Sequence, residues 1–559
     1  MKIFSSILLL CVVAPLFFVC CKSAKKKEGE SQLVKNKDQM DGFVQKQIKT
    51  LLTQAHDNKL DDTTRLPFLP VTATFYNSNN FEPVWSSTEQ WKKGTLSFLH
   101  YLDTCIYDGL FKEDYQYTLL KKYYSTLQAN PEQRRDAVLW AKADCLFSNS
   151  FFHVLQDIRQ GRLQKDSAGL QYDSTKQKDF FIPALHSFLQ DNSLNPLLAQ
   201  WQPKHKDYIL LKRNLHAFAD SMDLHEYTYL PYPSKDSSAF VKLLKKRMAE
   251  SGVSLQQTHP DSVQLRLMIA QCQQKLGMKA DGKLSSAFIK KLNENDHEKL
   301  IRIAINLDRY KYLPATLPEK YIWVNIPSYQ LQLMSNDSVK LVSKVIVGKP
   351  GTPTPELTGK INNLVTYPTW TVPVSIIKKD LLPGLKRNPG YLAKKGLALY
   401  TYAGEPVDPY TIEWNKYNKG IPFKVQQGSG DANALGVIKF NFNNPYDVYL
   451  HDTNQRYLFK RSDRSLSHGC VRVESWKELA FYIARNDSMQ YQKNDTLRYT
   501  TDSISNWINR KEMHKIYIKN GFPVYIRYFT CMPNDKKIVF FDDIYNNDKA
   551  LRNHFFTKK

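Results

Sequence analysis

The stretch Ile438-Lys439-Phe440-Asn441-Phe442, residues 438–442, decides the fold class of the second half of this chain. Its apolar and polar side chains alternate with a period of two, which is the pattern of a β-strand that buries one face and exposes the other. Residues 329–333 show the same alternation, and residues 345–347 and 524–529 are further candidate strands. The sequence therefore predicts a β-rich domain over residues 318–550.

One segment inside this β-rich domain, at about 374–430, does not follow the strand pattern. It is helical in character, is interrupted by glycine and proline, and carries lysine pairs at 378–379 and 394–395 and the run Gln426-Gln427-Gly428-Ser429-Gly430. A long insertion of this kind is typical of an element that closes over a functional site. We predict a mobile lid at about 374–430.

The chain before residue 318 has mostly helical patterns. Between Ala137 and Leu163, apolar residues recur near the i, i+4 spacing of one helix face. We predict a helical scaffold domain over 48–235 and a second, smaller helical module over 236–310. Four apolar residues of the module share one face: Leu265, Ile269, Cys272 and Leu276. The predicted architecture is multi-domain α+β, with the helical parts first and the β-rich domain last.

Residues 1–20 have the pattern of an export signal. Their apolar run, from Ile7 to Cys20, is shorter than the ~20 residues that a membrane-spanning helix needs. The segment resembles lipoprotein signals, which carry a small residue before the modified cysteine, so we predict lipidation at Cys21 and a lipidated tether over 21–47. The protein is then expected in the cell envelope as a periplasm-facing, membrane-anchored lipoprotein. An uncleaved anchor and a plain secretory signal are the alternatives.

The composition is that of a globular protein, with 42% hydrophobic and 24% charged residues in a chain of 559. The formal net charge of +24 attracts anionic partners over long distances. Nucleic acid would be the first such partner, but an export signal argues against it. We therefore predict no nucleic-acid partner and expect the positive charge to act on another anionic molecule.

Five cysteines follow the predicted signal, and they are scattered and odd in number. They do not form a recognisable disulfide framework. In an exported protein, an unpaired cysteine points to a reactive thiol, and the local sequence singles out Cys470. We expect the other four to be small buried hydrophobic residues: Cys105, Cys145, Cys272 and Cys531.

Two short segments hold the residues that can carry chemistry, Tyr449-Leu450-His451-Asp452-Thr453 and Ser467-His468-Gly469-Cys470-Val471-Arg472. If residues 448–451 form a strand, Tyr449 and His451 lie on the same face, because side chains alternate. A free thiol has a pKa of about 8.5 and needs a neighbouring imidazole to become a nucleophile at neutral pH. We predict that Cys470 is a nucleophile and His451 is its base.

The neighbours of Cys470 are expected to shape a tight loop. Gly469 permits backbone angles closed to other residues and lets a substrate carbonyl approach the nearby amides, as an oxyanion hole requires. Ser467 and His468 belong to the same support, and His468 is expected to form hydrogen bonds rather than move the proton. The stretch Ser475-Trp476-Lys477-Glu478 has the form of a capping box, which predicts a helix after the loop.

Asp452 is predicted to hold the second ring nitrogen of His451, through either its backbone carbonyl or its side chain. Two other interpretations of the cysteine and the histidines stay open. They could bind zinc, although no paired C-x-x-C or H-x-x-x-H spacing accompanies them, so we predict no metal site. Cys470 could also be an inert buried residue, which would leave the serine, glycine and two histidines around it unexplained.

The two segments resemble the signature of the L,D-transpeptidase catalytic domain, in which a histidine precedes a Ser-His-Gly-Cys motif followed by a hydrophobic residue and, here, Arg472. Further stretches are similar to a large, multi-domain branch of that family with a scaffold domain, a peptidoglycan-binding-like module and a lidded catalytic domain. These stretches are residues 306–309, 321–327, 347–350, 370–373 and 542–545. The resemblance covers most of the chain and is strongest after Leu300.

The resemblance implies a two-step acyl transfer on peptidoglycan stem peptides, with a tetrapeptide donor and a diamino acid acceptor. Cys470 would form a thioester and release D-alanine, and a second stem would resolve the thioester as a cross-link between third-position residues. It also implies acylation by carbapenems and no cofactor. Arg472, Tyr449 and Trp370 are the candidate substrate-binding residues, with core packing as the alternative for the two aromatic ones. An L,D-carboxypeptidase and a non-catalytic wall-binding scaffold are the alternative functions.

Overall fold

The structure, a computed structural model, describes residues 31–62, 64–163, 180–223, 225–232, 237–253, 262–490 and 499–556. The predicted signal peptide, its lipidated Cys21 and the first part of the tether lie outside the described residues. Within the described ranges, none of the helices is long and apolar enough to cross a membrane. The described chain divides into two compact units.

The first unit comprises the residues up to Leu99 together with Gln116–His153 and Leu185–Ser193. The elements up to residue 223, in chain order, are α1 (Met40–Gln54), α2 (Leu69–Ser78), β1 (Ser86–Ser87), β2 (Gln90–Trp91), α3 (Lys93–Thr104), α4 (Tyr117–Ala129), α5 (Pro131–Arg134), α6 (Ala137–Arg159), α7 (Phe181–Asp191), α8 (Asn195–Trp201) and α9 (Lys206–Ser221). The first unit has an aromatic core around Trp85, whose ring lies 5.4 Å from that of Phe147. Helix α6 confirms the predicted helix at this position.

Helix α1 begins at Met40, and Met40 and Val44 on it are buried. The predicted tether, which was expected to run to residue 47, is therefore wrong at its end. The physical reason is that Met40, Val44 and Ile48 recur at i, i+4 spacing and bury one helix face, a short periodicity that the surrounding lysines obscure.

The second unit comprises His100–Tyr115, Val154–Ala184 and Leu194–Lys559, so it includes the small helical module. The module consists of α10 (Ser237–Glu250), α11 (Ser262–Lys275) and α12 (Ser286–Asn293), followed by α13 (Asp296–Tyr310). Ile269 and Cys272 are buried in its core, and Leu265 and Leu276 pack against them, as predicted. The predicted module, residues 236–310, also includes α13, and this part of the prediction is wrong. Helix α13 packs with α9 against the large sheet, because its apolar face contacts Trp323 and Tyr525.

The rest of the second unit is the β-rich domain. Its elements are β3 (Lys320–Asn325), β4 (Gln330–Ser335), β5 (Ser338–Gly348), β6 (Leu357–Thr366), β7 (Trp370–Thr371), α14 (Val374–Ile376), a π-helical turn (Ile377–Leu381), α15 (Leu382–Arg387), α16 (Tyr391–Lys394), β8 (Leu397–Tyr400), β9 (Pro406–Val407), β10 (Lys424–Gln427), β11 (Ile438–Phe442), β12 (Leu450–His451), β13 (Ser465–Ser467), β14 (Val471–Val473), α17 (Trp476–Ser488), α18 (Thr501–Asn509), β15 (Lys515–Arg527), β16 (Cys531–Asn534), β17 (Lys537–Phe540) and α19 (Asn547–Phe555). The predicted strands are confirmed in position, although β15 ends at Arg527 and β12 includes only Leu450 and His451 of the predicted 448–451.

Among the described residues, the largest sheet has nine strands in the order β13-β5-β14-β12-β11-β6-β15-β3-β4. Strand β5 also pairs with β4, so the sheet closes on itself. Ile438 and Phe440 on β11 face the hydrophobic core, which α17 covers with Leu479 and Ile483. Because side chains alternate along a strand, Lys439 lies on the other face of β11. That face carries the residues of the candidate site.

The predicted lid region is a folded insertion with its own sheet, in the order β7-β10-β8-β9, and its own apolar core around Leu385, Leu399 and Val425. The helical character expected for 374–430 is correct for α14 to α16 and wrong for β8 to β10. The strands there are short, and lysine and glycine residues interrupt their alternation. Whether the insertion moves stays a prediction.

The helix after the predicted capping box does begin at Trp476, but the capping box itself is wrong. The Ser475 side chain makes no capping hydrogen bond. Instead, the backbone N–H of Ser475 donates to Oγ of Ser343 at 2.9 Å. A tertiary contact has replaced the local one.

Candidate active site

The loop between β13 and β14 holds Cys470 and is braced from within. The Oγ of Ser467 donates to the backbone carbonyl of Cys470 at 2.6 Å and accepts from the N–H of Gly469 at 3.1 Å. Gly469 has a φ of +122°, a conformation that strains any residue with a side chain. In this conformation the Gly469 amide is already paired, so the predicted oxyanion hole depends on the neighbouring backbone amides.

A second set of contacts holds the same loop from outside. The Oγ1 of Thr354 donates to the carbonyl of Gly469 at 2.7 Å and accepts from the N–H of Gly348 at 2.8 Å. The hydroxyl of Tyr545 donates to the Gly348 carbonyl at 2.6 Å and accepts from the Thr354 N–H at 3.2 Å. Thr354 is buried. The nucleophile loop is therefore held from within by Ser467 and at Gly469 by Thr354, which is distant in sequence.

Three cationic or titratable side chains form one row across the sheet. Lys439 on β11 is paired with His451 on β12, and His451 is paired with Arg472 on β14. Cys470 precedes β14 by one residue and lies two residues before Arg472, so it falls on the same side of the sheet. Tyr449 stands two residues before His451, and their rings lie 5.5 Å apart in an edge arrangement. The sheet register thus places all five residues on one face.

Cys470 differs from the other cysteines that the structure describes. Cys105, Cys145, Cys272 and Cys531 are buried, whereas Cys470 is partly exposed. Its Sγ lies 3.8 Å from the backbone carbonyl of Asp447. Burial of the Sγ atom raises the pKa of this thiol, and the backbone N–H and hydroxyl of Tyr449, then Lys439 and Arg472, act to lower it. The site therefore contains several groups that stabilise a thiolate.

His451 is fully buried against the sheet. Burial, and after it the positive charge of Arg472, lowers the pKa of its imidazole to about 3, even though the backbone carbonyls of Asp452 and Leu435 act in the opposite direction. The ring is therefore neutral at pH 7 and can accept a proton. His451 and Cys470 are diagonal neighbours on paired strands, a separation that side chains of this size can span. No direct hydrogen bond joins the two side chains in the part of the chain that the structure describes.

Asp452 supports His451 through its backbone and not through its carboxylate. The carboxylate accepts two hydrogen bonds from Arg456, at 3.0 and 2.5 Å, and a third from the N–H of Val437 at 3.0 Å. Of the two predicted alternatives, the side-chain contact is wrong, because these donors already occupy the carboxylate. The backbone carbonyl lies close enough to favour the protonated form of the His451 ring.

His468 points away from the thiol and towards the insertion. Its Nε2 lies 2.6 Å from Oδ2 of Asp380, in the π-helical turn, and 3.4 Å from Nζ of Lys349. These contacts agree with the prediction that His468 forms hydrogen bonds. They also link the nucleophile loop to the insertion, which the sequence alone did not indicate.

The predicted substrate-binding residues surround the thiol at different distances. Nη1 of Arg472 makes only two long contacts, to Oγ1 of Thr453 at 3.5 Å and Oε1 of Gln455 at 3.3 Å. Tyr449 interacts directly with Cys470, and Trp370, on β7 of the insertion, lies beside the Tyr449 hydroxyl. The indole N–H of Trp370 is buried and makes no well-formed hydrogen bond within the described ranges. Trp370 and Tyr449 thus stand where the insertion meets the sheet.

Sequence reasoning missed Lys439, Thr354 and Asp380. Lys439 has a visible signal, because it occupies the polar face of the strand that decides the fold class. Thr354 and Asp380 have none, because nothing local indicates which loop contacts the cysteine. Their positions follow from the sheet register and from the packing of the insertion.

The fold and the site together define a class: a β-rich domain that presents a reachable cysteine beside a buried, neutral histidine. The family model described as the L,D-transpeptidase catalytic domain matches residues 319–526, and the one described as Scaffold domain matches residues 70–215. Residues 319–526 therefore belong to the L,D-transpeptidase catalytic domain family, and the chain also carries a scaffold domain. The scaffold match lies inside the predicted range 48–235.

Similarity to known proteins supports the same assignment over part of the chain. The chain is 34% identical over 250 residues to the Haemophilus influenzae protein named "Putative L,D-transpeptidase", which is 45% of this chain and 48% of that protein. The match thus spans about half the length of the curated relative.

Two solved structures show more distant similarity. The L,D-transpeptidase from Mycobacterium smegmatis is 12% identical, with a TM-score of 0.18, over 37% of this chain and 58% of that one. The L,D-transpeptidase from Stackebrandtia nassauensis is 13% identical, with a TM-score of 0.15, over 51% of this chain and 88% of that one.

Proposed function

We propose that this protein is a peptidoglycan L,D-transpeptidase that links third-position diamino acid residues through a thioester on Cys470. The observation that carries the proposal is the exposure of Cys470, together with the groups that lie beside its thiol. Burial raises the pKa of the Cys105, Cys145, Cys272 and Cys531 thiols and that of Cys470 as well, so exposure and neighbouring groups, not the direction of the pKa shift, distinguish Cys470. Cys470 is partly exposed and has four groups beside it that favour its thiolate. It is the thiol suited to attack a peptide.

The first step forms the acyl-enzyme. The neutral imidazole of His451 takes the proton of Cys470, and Sγ attacks the carbonyl carbon of the third residue of a tetrapeptide stem. A C–S bond forms, the C–N bond to the terminal D-alanine breaks, and His451 returns the proton to the departing amine. Neutral His451 suits this role, because a base must be unprotonated at the working pH.

The second step transfers the acyl group. The side-chain amine of a diamino acid on another stem attacks the thioester carbonyl and loses its proton to His451, the C–S bond breaks, and His451 returns the proton to Sγ. The product is a third-to-third cross-link, and the thiol is restored. Arg472, with only long hydrogen bonds to neutral groups, is available to bind a stem carboxylate in this scheme.

The test is incubation of the purified protein with tetrapeptide-bearing muropeptides, with the products identified by mass. Cross-linked dimers in the wild type, and none with Cys470→Ala, are the expected result. Cys272→Ala is the matched control, because it removes a buried thiol of the helical module. Tripeptide monomers without dimers would identify an L,D-carboxypeptidase instead, in which water resolves the thioester.

Acylation by a carbapenem separates a catalytic from a non-catalytic protein. The wild type and Cys272→Ala should gain the mass of the drug in intact-protein spectra, and Cys470→Ala should not. A wild type that shows neither adduct nor turnover would leave the wall-binding scaffold as the function. The proposal that Cys470 is the nucleophile fails if Cys470→Ala still forms the adduct.

We also propose that the protein is a periplasm-facing lipoprotein of the cell envelope, anchored through Cys21. The support is the apolar run that ends at the Cys20-Cys21 pair, followed by lysine-rich sequence. Expression with a labelled fatty acid tests it: the wild type should incorporate label and partition with membranes, and Cys21→Ala should do neither. Unchanged labelling of Cys21→Ala would contradict this anchor.

A further inference from the structure

The neutral state of His451 raises the question of which group balances the negative charge of the Cys470 thiolate. In many cysteine nucleophiles an imidazolium next to the sulfur serves this purpose. Here the imidazole is buried, carries a pKa of about 3 and faces the positive charges of Arg472 and Lys439. A protonated His451 would be repelled by both. The counter-charge must therefore come from another residue of the same face.

The charged and titratable groups that face Cys470 come from four segments. Lys439 lies on β11, His451 on β12, and Arg472 on β14, while Asp447 and Tyr449 lie on the segment before β12. Asp447 contributes its backbone carbonyl, 3.8 Å from Sγ. Only Lys439 and Arg472 carry positive charge at neutral pH among these five.

Lys439 is held in place by an aromatic ring. Its Nζ lies 3.9 Å from the centroid of the Tyr449 ring, a close cation–π contact. Tyr449 in turn interacts with Cys470 through both its amide and its hydroxyl. The ammonium therefore stands on the face of a ring whose hydroxyl reaches the sulfur. This arrangement fixes a flexible side chain close to the thiol without a carboxylate.

A half-buried lysine usually has an ion-pair partner, whereas Lys439 has only the more distant charge of Asp447 among the residues that the structure describes. Within the described residues, Lys439 forms no ion pair, and the groups that act on its charge are Cys470 and Asp447. A cation removed from water needs a compensating anion or a strong dipole. The thiolate of Cys470, once formed, is the larger of the two negative charges that act on Lys439, ahead of Asp447.

Arg472 is less suited to the same purpose. It points towards Thr453 and Gln455, where its Nη1 makes long contacts, and its buried Nε has no hydrogen-bond partner in the described part of the chain. We propose that Lys439 is a positioning residue of this site, whose ammonium is the main counter-charge that stabilises the Cys470 thiolate. The proposal deepens the proposed function, since it rests on Cys470 as the nucleophile.

The test measures the thiol directly and needs no peptidoglycan. Alkylation of Cys470 by iodoacetamide, in which Sγ displaces iodide, is followed by intact mass and peptide mapping from pH 5 to pH 10. Lys439→Gln should move the midpoint of the rate profile up by about one pH unit, which is roughly tenfold less thiolate at pH 7. Lys439→Arg, which keeps the charge and the cation–π contact, should restore most of the wild-type profile.

Lys515→Gln is the matched control. Lys515 lies in the same row of the sheet, paired with Val365, which is paired with Lys439. It also stacks on a tyrosine, with Nζ 4.8 Å from the Tyr517 centroid, but it is exposed and two strands away from Lys439. Its removal lowers the net charge by the same amount and should leave the Cys470 profile unchanged.

Two results would overturn the proposal: a Lys439→Gln profile that coincides with the wild type, or an equal shift in Lys515→Gln. Circular dichroism melts establish that each variant is folded. If Lys439→Gln is unstable, the alkylation midpoint of Lys439→Met is compared with that of the wild type instead. Failure of the muropeptide assay would count against the proposed function and leave the alkylation result intact. A normal cross-linking reaction with an unshifted Lys439→Gln profile would count only against Lys439.

Discussion

Nε2 of His468 lies 2.6 Å from a carboxylate oxygen of Asp380, and this contact joins the nucleophile loop to the insertion. His468 is two residues from Cys470, and Asp380 belongs to the π-helical turn of Ile377–Leu381. The two side chains are about one-third exposed, at 32% and 41%. A contact of this kind is weak enough to break and re-form, which is compatible with the predicted mobility of the insertion.

Removal of this contact should loosen the insertion. A partly exposed pair of this type contributes up to about 1 kcal/mol. We expect Asp380→Asn to increase hydrogen exchange of residues 374–387 by about two- to fivefold at neutral pH, because the insertion opens more often. Hydrogen exchange with mass spectrometry measures this change peptide by peptide.

The matched control for Asp380 is Glu413→Gln. Glu413 also lies in the insertion, but its ion pair with Lys416, at 2.6 Å, is local to the insertion. Exchange at 374–387 should stay at the wild-type rate in this variant. Equal exchange in Asp380→Asn and the wild type would show that His468 does not restrain the insertion.

The buried hydroxyl of Thr354 should be essential to the geometry of the nucleophile loop. Thr354→Val keeps the shape of the side chain but leaves the Gly348 N–H and the Gly469 carbonyl without their partner. Unpaired buried groups cost about 1–3 kcal/mol. We expect the unfolding free energy to fall by about this amount and alkylation of Cys470 to slow, as measured by denaturant melts and intact mass.

Thr352→Val tests whether this effect is specific to position 354. Thr352 also contacts the loop, but its Oγ1 lies 3.3 Å from the Ser467 carbonyl, and the side chain is only partly buried. Its loss should cost less than half as much. If the two valine variants are equally stable and equally reactive, the Thr354 hydrogen bonds do not hold the loop.

The sequence predicts those parts of the fold and site that depend on nearby residues. The alternation of Ile438, Phe440 and Phe442 gives β11 with its observed bounds. Cys470 and His451 stand out because their motif is contiguous and chemically crowded. In each case the pattern is encoded within a few residues, so it can be recognised before the fold is known.

Long-range contacts account for what the sequence does not predict. Lys439 becomes part of the site only because β11, β12 and β14 pair in one register. The cap at Ser475 fails because Ser343, more than a hundred residues away, takes its amide. Asp452 loses its predicted side-chain contact for a local reason: Arg456, four residues on, is a stronger donor to the carboxylate than an imidazole.

Glu356 should make the protein less stable as the pH rises. Burial raises the pKa of its carboxyl to about 7, although Arg309 and Arg527 act to lower it. The folded state therefore favours the protonated form, and its contribution to stability is present below about pH 4.5 and lost as the pH rises towards 7. Between pH 5 and 8, the unfolding free energy of Glu356→Gln should fall by about 2 kcal/mol less than that of the wild type.

Thermal melts of Glu356→Gln at pH 5, 6, 7 and 8 measure this slope. Glu474→Gln is the control, because Glu474 is 40% exposed and pairs with Lys344 at 3.7 Å on the surface. Its melting temperatures should follow those of the wild type at every pH. A Glu356→Gln variant with the wild-type slope would show that the buried carboxyl stays ionised through folding.

His451 should have the opposite pH dependence, because its folded pKa is lowered and not raised. With a folded pKa of about 3, the unfolded chain binds a proton below about pH 6.5 that the folded protein does not. Stability from this group is complete above pH 6.5 and is lost as the pH falls towards 3. At pH 4.5 the loss should be about 2–3 kcal/mol, and His451→Gln should lack it.

Thermal melts of both proteins at pH 7 and pH 4.5 give the difference, with His514→Gln as a control at a half-exposed histidine beside Glu512. If His451→Gln and the wild type lose the same stability on acidification, the imidazole is not held neutral, and a protonated His451 would then have to serve as the acid partner of Cys470.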